Sequence, residues 1–426
     1  MSAKKARCRL YPITIISITN LFVYMNRVAI TGVLNEIQQQ FLLSESGVGL
    51  LQTLYIVAMI IGGPIFGYFG DRYDRRKVII IATILWIVAS LWASFIYDLV
   101  EVFFLLRALA GAGDAGFLAI APAMISDYYK PEERYIMLTI YYLAFPFGAG
   151  LGYMVGAEIA ILLKNWRWAV RIVPCIGVLS VFMLFFLRKC PRGASEGSNF
   201  KISAWKQDVK AIITNKTYLM TVAAFTCVTF IGGASGWWAP KVLTMGLNLQ
   251  KDEYDSSTPS LLIFGVVVVS SGIIGVTLGY GLSKWLNKKY DRADPLICGI
   301  GMFISAPLMG LTFYTAPYST TCCYLLGFVG FTAVNLQPAI VSNIIISVML
   351  PTRRAQAHGI LLFLCHALGD CGSPYFFGLT TDLFRPLFEK NGQRTTRTHY
   401  MGFLCSISLP KIGRNNDRKW PNLPKR

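Results

Sequence analysis

Two ionisable residues, Arg107 and Asp114, lie seven positions apart in one apolar run of the sequence. Seven residues make about two helical turns, so both side chains project from one face of a helix. Ionisable groups are costly in hydrocarbon and usually face the interior of a helix bundle. The pair therefore predicts a polar centre that binds substrate or a proton. The alternative is a structural ion pair that holds helices together.

The first apolar run carries a further charge, Arg27, directly after Asn26. A long Arg side chain near the end of a span can reach the interface by snorkelling. Arg27 lies one to two turns from the end of its run, so we favour the other interpretation, in which it pairs with Asp114 across a cavity.

His366, Asp370 and Pro374 follow one another at intervals of four in the last long apolar run. This spacing places them on one helix face, and Pro374 should disturb the helix. A buried His and Asp on one face can titrate or bind a polar head group.

Glycines recur at every fourth position in the fifth run, at 148, 152 and 156. Such a stripe of small residues predicts close packing between helices. Tyr153 lies within the stripe and is a further candidate for contact with substrate.

The loop after the second run has the spacing Gly-x3-Asp-Arg-x2-Arg-Arg-Lys. Gly67 would let another helix approach closely, and Asp71 would accept hydrogen bonds from a helix N-terminus, where a carboxylate is favoured. Arg75 and Arg76 could pair with acids across a cytosolic mouth, and Arg72 is a further candidate residue of the same motif. The loop predicts a gate, because such contacts can form and break.

The composition decides the class of protein. Of 426 residues, 54% are hydrophobic and only 15% are charged, whereas soluble domains carry about 25% charged residues. This excludes a soluble enzyme, a disordered chain and a disulfide scaffold. The ten cysteines form no C-x-x-C pair, and no catalytic or phosphate-loop signature occurs. We therefore expect no enzyme activity, no metal and no cofactor.

Eleven apolar runs have the length of membrane-spanning helices, and a twelfth begins at Tyr400 but stops at Leu409. The eleven runs cover residues 11–33, 47–69, 78–97, 102–127, 135–163, 169–187, 217–243, 260–286, 295–316, 320–350 and 355–383. With the N-terminus in the cytosol, 23 Lys and Arg lie in cytosolic segments and nine on the other side. This bias fixes the orientation, and it explains the net charge of +18 without a nucleic-acid partner.

The runs divide into two halves with weak internal repeats. Pro131-x-x-Arg134 matches Pro351-x-x-Arg354, and Gly67-x3-Asp71 matches Gly279-x3-Ser283. A duplicated bundle is the architecture of many secondary transporters. We expect a six-helix bundle, a basic cytosolic linker with a surface helix around Lys201 to Ile213, a second bundle with a partial last helix, and a basic tail. Their respective bounds are 1–187, 188–216, 217–409 and 410–426.

From about residue 11 to about residue 405, the chain resembles the major facilitator superfamily and most closely its spinster-like branch. The segments that carry the resemblance are Asn26-Arg27, Gly67 to Lys77, Arg107 to Ala121, Phe145 to Tyr153, Trp238-Ala239-Pro240, Arg292 to Pro295, Pro351 to Arg354 and Gly369 to Tyr375.

The resemblance implies an all-α integral membrane protein with a two-bundle, twelve-helix fold, here with the last helix truncated. It implies alternating access, lysophospholipid or sphingosine-1-phosphate-type substrates, proton-linked or facilitated movement, and a late endosomal, lysosomal or plasma membrane location. It does not indicate an oligomeric state. By position, Arg107 and Asp114 match the family's fourth-span Arg and Glu, and His366 and Asp370 match its eleventh-span His-x3-Asp.

Two departures keep other functions open. Asn26 stands where the family has an acid and cannot carry a proton, so proton linkage would rest on Asp114. The missing twelfth span makes a non-transporting scaffold an alternative. A carrier of polar organic anions or sugars is the other alternative.

Overall fold

The computed structural model describes residues 3–43, 45–192, 205–251, 259–290, 293–371 and 373. Every regular element in these ranges is helical. The α-helices are α1 (Ala3–Ala29), α2 (Leu34–Gln40), α3 (Glu45–Arg72), α4 (Arg75–Ala93), α5 (Val100–Tyr128), α6 (Pro131–Leu162), α7 (Trp166–Phe185), α8 (Trp205–Ile213), α9 (Lys216–Lys251), α10 (Pro259–Leu286), α11 (Ala293–Thr315), α12 (Thr320–Val334), α13 (Pro338–Val348) and α14 (Arg354–Cys365). A 3₁₀ turn, Ile30–Val33, joins α1 to α2, and a π-helical turn, His366–Asp370, continues α14.

Within the described ranges, nine helical segments are long and apolar enough to cross a membrane, with α12 and α13 counted as one segment. They correspond to nine of the eleven runs expected from the sequence. The remaining two runs are represented by α1, which is long enough but carries polar residues, and by α14, whose run continues beyond the described part. The expected last helix at 400–409 and the tail at 410–426 lie outside the described residues.

The tenth expected span is broken, although its sequence predicts one continuous helix over 320–350. Helix α12 ends at Val334 and α13 begins at Pro338. Proline lacks a backbone N–H and is tolerated at the first position of a helix, where no partner is needed. Two carbonyl oxygens approach α10 closely here, that of Thr332 near the end of α12 at Gly275 and that of Leu336 in the break at Gly279.

The glycine stripe of the fifth run packs as predicted, against α1. A Cβ atom at Gly148, Gly152 or Gly156 would collide with backbone carbonyl oxygens of α1. The stripe therefore sets the distance between α1 and α6. The side chain of Tyr153 lies outside the described part of the structure, so its contact with substrate stays a prediction.

Helices α1–α7, the N-terminal half, meet helices α9–α14, the C-terminal half, mainly through α3 against α14 and α6 against α10. Gly63 of α3 faces Gly359 of α14, and a Cβ atom at Gly63 would lie 2.8 Å from the carbonyl oxygen of Gly359. At this point the two halves touch backbone to backbone.

We expect Gly63→Ala to destabilise this contact, because the added methyl group meets backbone that cannot move aside. Overpacking of this kind costs about 1–3 kcal/mol. The thermal unfolding midpoint of the purified protein should fall. Gly281→Ala in α10 is the matched control, since nothing lies within 4 Å of its Cβ position. An equal fall in both variants would contradict the assigned contact.

Candidate functional site

A buried ion pair joins α1 to α5. Arg27 donates from Nε (3.0 Å) and Nη2 (2.7 Å) to Oδ2 of Asp114. The hydroxyl of Tyr55, from α3, donates to the same oxygen at 2.6 Å. The predicted pairing of Arg27 with Asp114 is therefore present, and it links three helices. Asp114 is 1% exposed, and its other oxygen, Oδ1, accepts no hydrogen bond from the described residues.

Arg107 lies beside this pair without joining it. Its guanidinium stacks over the ring of Tyr55, with Cζ 4.8 Å from the ring centroid. The side chain is 1% exposed, and Nε, Nη1 and Nη2 have no hydrogen-bond partner in the described part of the chain. A buried charged donor without an acceptor is expensive. The centre thus presents an unsatisfied cation next to a satisfied ion pair.

Asn26 is directed elsewhere, although it directly precedes Arg27. Its Nδ2 donates to Oγ of Ser90 at 3.1 Å, which ties α1 to α4. Both groups are buried inside the N-terminal half. The structure therefore does not bring Asn26 together with Arg27, Arg107 and Asp114, because successive residues on a helix point about 100° apart.

The histidine and aspartate of the last run contact each other across the π-helical turn. His366 Nδ1 lies 2.6 Å from Asp370 Oδ2. Gly369 in the same turn is held tightly against Thr229 and Phe230 of α9. π-Helical turns occur frequently at functional sites. Pro374, expected to disturb this helix, lies outside the described residues.

Tyr24 of α1 connects the two polar groups. The guanidinium of Arg27 lies over its ring, with Cζ 5.2 Å from the centroid. The electrostatic surroundings of Tyr24 also include Asp114 and Asp370. Tyr24 therefore lies near both the centre in the N-terminal half and the His366–Asp370 pair in the C-terminal half.

Two tyrosines of this site are not predictable from the sequence pattern. Tyr55 and Tyr24 lie in apolar runs and carry no charge, so composition gives no reason to select them. Their roles depend on which helix faces Asp114 and Arg27. Only the packing of α1, α3 and α5 supplies that information.

A second cluster joins the two halves at the ends that the charge bias predicts to face the cytosol. Asp71, at the end of α3, accepts hydrogen bonds from the backbone N–H groups of Ala355 (3.3 Å) and Gln356 (2.7 Å) at the start of α14. A Cβ atom at Gly67 would contact the same two residues. The predicted close approach at Gly67 and the predicted capping of a helix by Asp71 are both present.

Arg75 holds this closure from the other side. Its Nη2 donates to Asp71 Oδ1 at 2.6 Å and to the carbonyl oxygen of Pro351 at 2.8 Å, and its Nη1 donates to Asp127. Both acids belong to the N-terminal half, so the predicted pairing of Arg75 with an acid across the mouth is wrong. Its contact with the C-terminal half is the carbonyl oxygen of Pro351, in the loop between α13 and α14.

The neighbouring arginines differ in their contacts. Arg76 donates to the carbonyl oxygen of Leu187 at 2.7 Å, within its own half. Its predicted pairing across the mouth is therefore also wrong. Arg72 does reach an acid, Asp208 of α8, at 3.3 Å, and Arg353 pairs with the same carboxylate at 2.7 Å. The helix expected in the linker thus bridges the two halves through a buried acid.

We expect Asp208→Asn to loosen α8 with a small cost in stability. The cost should be small because Arg72 and Arg353 are 23% and 20% exposed at their side chains, so water can solvate both arginines, and the oxygen of asparagine still accepts a hydrogen bond. Amide hydrogen exchange across residues 205–213 should become faster. Lys206→Gln, an exposed charge on the same helix, is the control. Unchanged exchange in Asp208→Asn would show that the bridge does not hold α8.

The repeat-related position in the C-terminal half is neutral. Ser283 stands where the N-terminal half has Asp71, and it donates to Asp294 of α11 within its own half. The link between the halves here is a 3.3 Å hydrogen bond from the hydroxyl of Tyr135 to the carbonyl oxygen of Gly279. The cytosolic closure is therefore asymmetric, with a charged contact at α3–α14 and a neutral one at α6–α10.

The described residues contain no cluster of three or more His, Cys, Asp or Glu side chains that could hold a metal ion. The polar centre and the cytosolic cluster consist of ion pairs, tyrosines and backbone groups.

Comparison with known proteins places the chain in a family. The family model for the Major Facilitator Superfamily matches residues 16–374. Protein spinster of Drosophila melanogaster is 38% identical over 387 residues, which are 90% of this chain and 64% of that protein. The chain therefore spans just under two thirds of the fruit-fly protein. The sphingosine-1-phosphate transporter SPNS2 of Xenopus tropicalis is 37% identical over 399 residues, which are 92% of this chain and 76% of that one.

The fold is also found among solved structures. The crystal structure of a bacterial homologue of the human lysosomal transporter spinster, inward-facing and unoccupied, matches with a TM-score of 0.68 at 19% identity. The match covers 94% of this chain and 93% of that chain. The fold and the sequence matches agree with the resemblance seen in the motifs. The chain is an integral membrane protein that belongs to the major facilitator superfamily and, within it, to the spinster proteins.

Proposed function

We propose that the protein moves lysophospholipid or sphingosine-1-phosphate-type lipids across a membrane by alternating access. The observation that carries the proposal is Arg107, a buried guanidinium with no hydrogen-bond partner among the described residues. A phosphate head group supplies the acceptors that such a donor lacks. The Xenopus relative is a sphingosine-1-phosphate transporter, which supports this class of substrate.

In this proposal each polar residue has a distinct role. Arg107 binds the phosphate, and Tyr55 orients the guanidinium through its ring. Arg27 pairs with Asp114 beside the site. Protonation of Asp114 would weaken this pair and free Arg27 to contact the substrate, which would link transport to protons. His366 and Asp370 would contact the head group from the C-terminal half, and Tyr153 from α6.

We propose that two bundles, residues 1–187 and 217–409, are joined by the linker 188–216. The parts of these bundles that rock against each other about this site are residues 11–187 and 217–405. The latch consists of Asp71 and Arg75 in contact with the start of α14 and the loop before it. These contacts between the two halves must break before substrate can leave or enter on the cytosolic side. Gly67, Arg72 and Arg76 flank the latch and position it. The expected location is the late endosomal, lysosomal or plasma membrane.

The substrate class can be tested with the purified chain in sealed lipid vesicles. Uptake of a tritiated lysophospholipid should exceed that of protein-free vesicles. Unlabelled lysolipids should compete more strongly as the acyl chain lengthens, because each buried CH₂ group adds about 0.8 kcal/mol. A carrier of polar solutes would instead be inhibited by small organic anions or sugars, and its inhibition by lysolipids would not depend on the length of the acyl chain. No uptake by the chain alone would favour a scaffold.

A further inference from the structure

A pocket of about 380 Å³ lies at the non-cytosolic end of the N-terminal half. Gln40 from α2, Tyr97 from the loop after α4, and Trp166 and Arg167 from the start of α7 contribute to its wall. Helix α4 begins at Arg75 in the cytosolic cluster, so the loop after α4 lies at the opposite end of the protein. The pocket is therefore separate from both the polar centre and the cytosolic closure.

Arg167 is the unusual member of this wall. Its side chain is 3% exposed, and its guanidinium stacks on the ring of Tyr97, with Cζ 3.5 Å from the centroid. Nη1 and Nη2 have no hydrogen-bond partner in the described part of the chain. Buried guanidinium groups normally find acceptors. The two nitrogens are thus donors available to a ligand in the pocket.

Arg171, one turn further along α7, shows the contrast. It also stacks on an aromatic ring, that of Phe95, but it donates to Oγ (3.0 Å) and to the carbonyl oxygen (3.1 Å) of Ser94. Arg171 therefore anchors the loop by itself. The positive-inside rule gives no reason for cations at this end of the protein, so membrane orientation does not account for Arg167.

The charge around the pocket limits the ligand. Lys164 adds a second positive charge, and Glu36 contributes one negative charge to the same lining. The net charge of these side chains is one positive charge, which matches a singly charged anion. A phosphodiester carries one negative charge, and guanidinium groups bind phosphate oxygens with paired N–H donors.

The surroundings of the pocket favour a lipid over a free anion. Leu162 and Leu163, at the end of α6 directly before Lys164, are 79% and 46% exposed. Trp168, directly after Arg167, is also exposed, and tryptophans are enriched at membrane interfaces. An apolar surface therefore adjoins the cationic pocket at the level where lipid head groups lie.

We propose that this pocket binds the phosphodiester head group of a lipid of the non-cytosolic leaflet, with Arg167 as the main donor. The lipid would be a resident ligand that holds α2, the loop after α4 and the start of α7 together. The inference does not depend on the transported substrate. Its ligand chemistry is the phosphodiester, and its acyl chains lie along Leu162 and Leu163.

The test is direct binding of tritiated dioleoylphosphatidylglycerol to the full chain, purified and delipidated in a neutral detergent. We expect saturable binding that Arg167→Gln weakens about tenfold or more, since hydrogen bonds to charged groups contribute about 1.5–3 kcal/mol. Lys164→Gln should weaken binding and Glu36→Gln should strengthen it. Both of these residues are exposed, so the two variants keep the test valid if Arg167→Gln does not fold.

A control variant separates this pocket from the other positive charges of the protein. Lys206→Gln removes an exposed charge of α8, far from the pocket, and should leave the affinity unchanged. Dioleoylglycerol, which lacks the phosphate, should not bind at the site, and inorganic phosphate should bind much more weakly than the lipid. Equal affinity of wild type, Arg167→Gln and Lys164→Gln, no saturable binding, or binding of inorganic phosphate as strong as that of the lipid would overturn the proposal.

Discussion

Replacing Asp71 with Asn should open the cytosolic side of the protein. Asp71 caps the start of α14 through the N–H groups of Ala355 and Gln356, and it pairs with Arg75. Asn keeps one side-chain oxygen but turns an NH₂ group toward one of these two N–H groups, and a buried donor left without an acceptor costs about 1–3 kcal/mol. A change of about 1.4 kcal/mol shifts an equilibrium constant tenfold, so the ratio of closed to open protein should fall about tenfold. Hydrogen exchange of the amides in 354–357 reports this directly.

Asp74→Asn is a closely matched control. Asp74 lies in the same loop and caps α4 by accepting a hydrogen bond from the backbone N–H of Arg76 at 3.1 Å. It has the same chemistry as Asp71 but caps a helix of its own half. Exchange in 354–357 should stay at the wild-type rate in this variant. If Asp71→Asn also left that rate unchanged, Asp71 would not be part of the latch.

Breaking the Arg27–Asp114 pair should be strongly destabilising, and removing both partners should restore most of the stability. Truncating one partner of a buried ion pair costs about 3–5 kcal/mol, because the other charge stays buried without compensation. We therefore expect Asp114→Asn to lower the thermal unfolding midpoint markedly. The double variant Arg27→Gln with Asp114→Asn should recover most of this loss.

The same pair of variants separates a structural role from a functional one. If the pair only holds α1 to α5, the double variant should transport lipid as fast as the wild type. If the charges act on substrate or protons, the double variant should be stable but should transport lipid more slowly than the wild type. An Asp114→Asn protein as stable as the wild type would contradict the buried pair itself.

Much of the site can be predicted from sequence, because ionisable residues are rare in apolar runs. Arg27, Arg107 and Asp114 stand out by the cost of burying their charges, and that cost also indicates the pairing of Arg27 with Asp114. Asp71 is predictable because a helix N-terminus attracts a carboxylate wherever the two can meet. These inferences depend on local chemistry and need no knowledge of the packing.

Other features depend on contacts between distant helices. Nothing in the spacing of the sequence indicates that Arg75 binds the carbonyl oxygen of Pro351 and not an acid of the other half. Tyr55 needs the packing of α3 beside α5 to place its hydroxyl on Asp114. Arg167 is only a charge on the non-cytosolic side until the fold buries it against Tyr97. The break before Pro338 leaves little signal in mean hydropathy, because the run as a whole is apolar enough for one span although Asn335 and Gln337 are polar.

The most direct test of the proposed function is transport by Arg107→Ala, measured as tritiated lysophospholipid uptake in vesicles containing equal amounts of folded protein. Arg107 makes no hydrogen bond to the described residues, so its removal should leave the protein folded and the Arg27–Asp114 pair intact. If Arg107 binds the phosphate, uptake should fall about tenfold or more, given about 1.5–3 kcal/mol for hydrogen bonds to a charged group. Uptake at the wild-type rate by Arg107→Ala would show that the substrate does not bind at this centre.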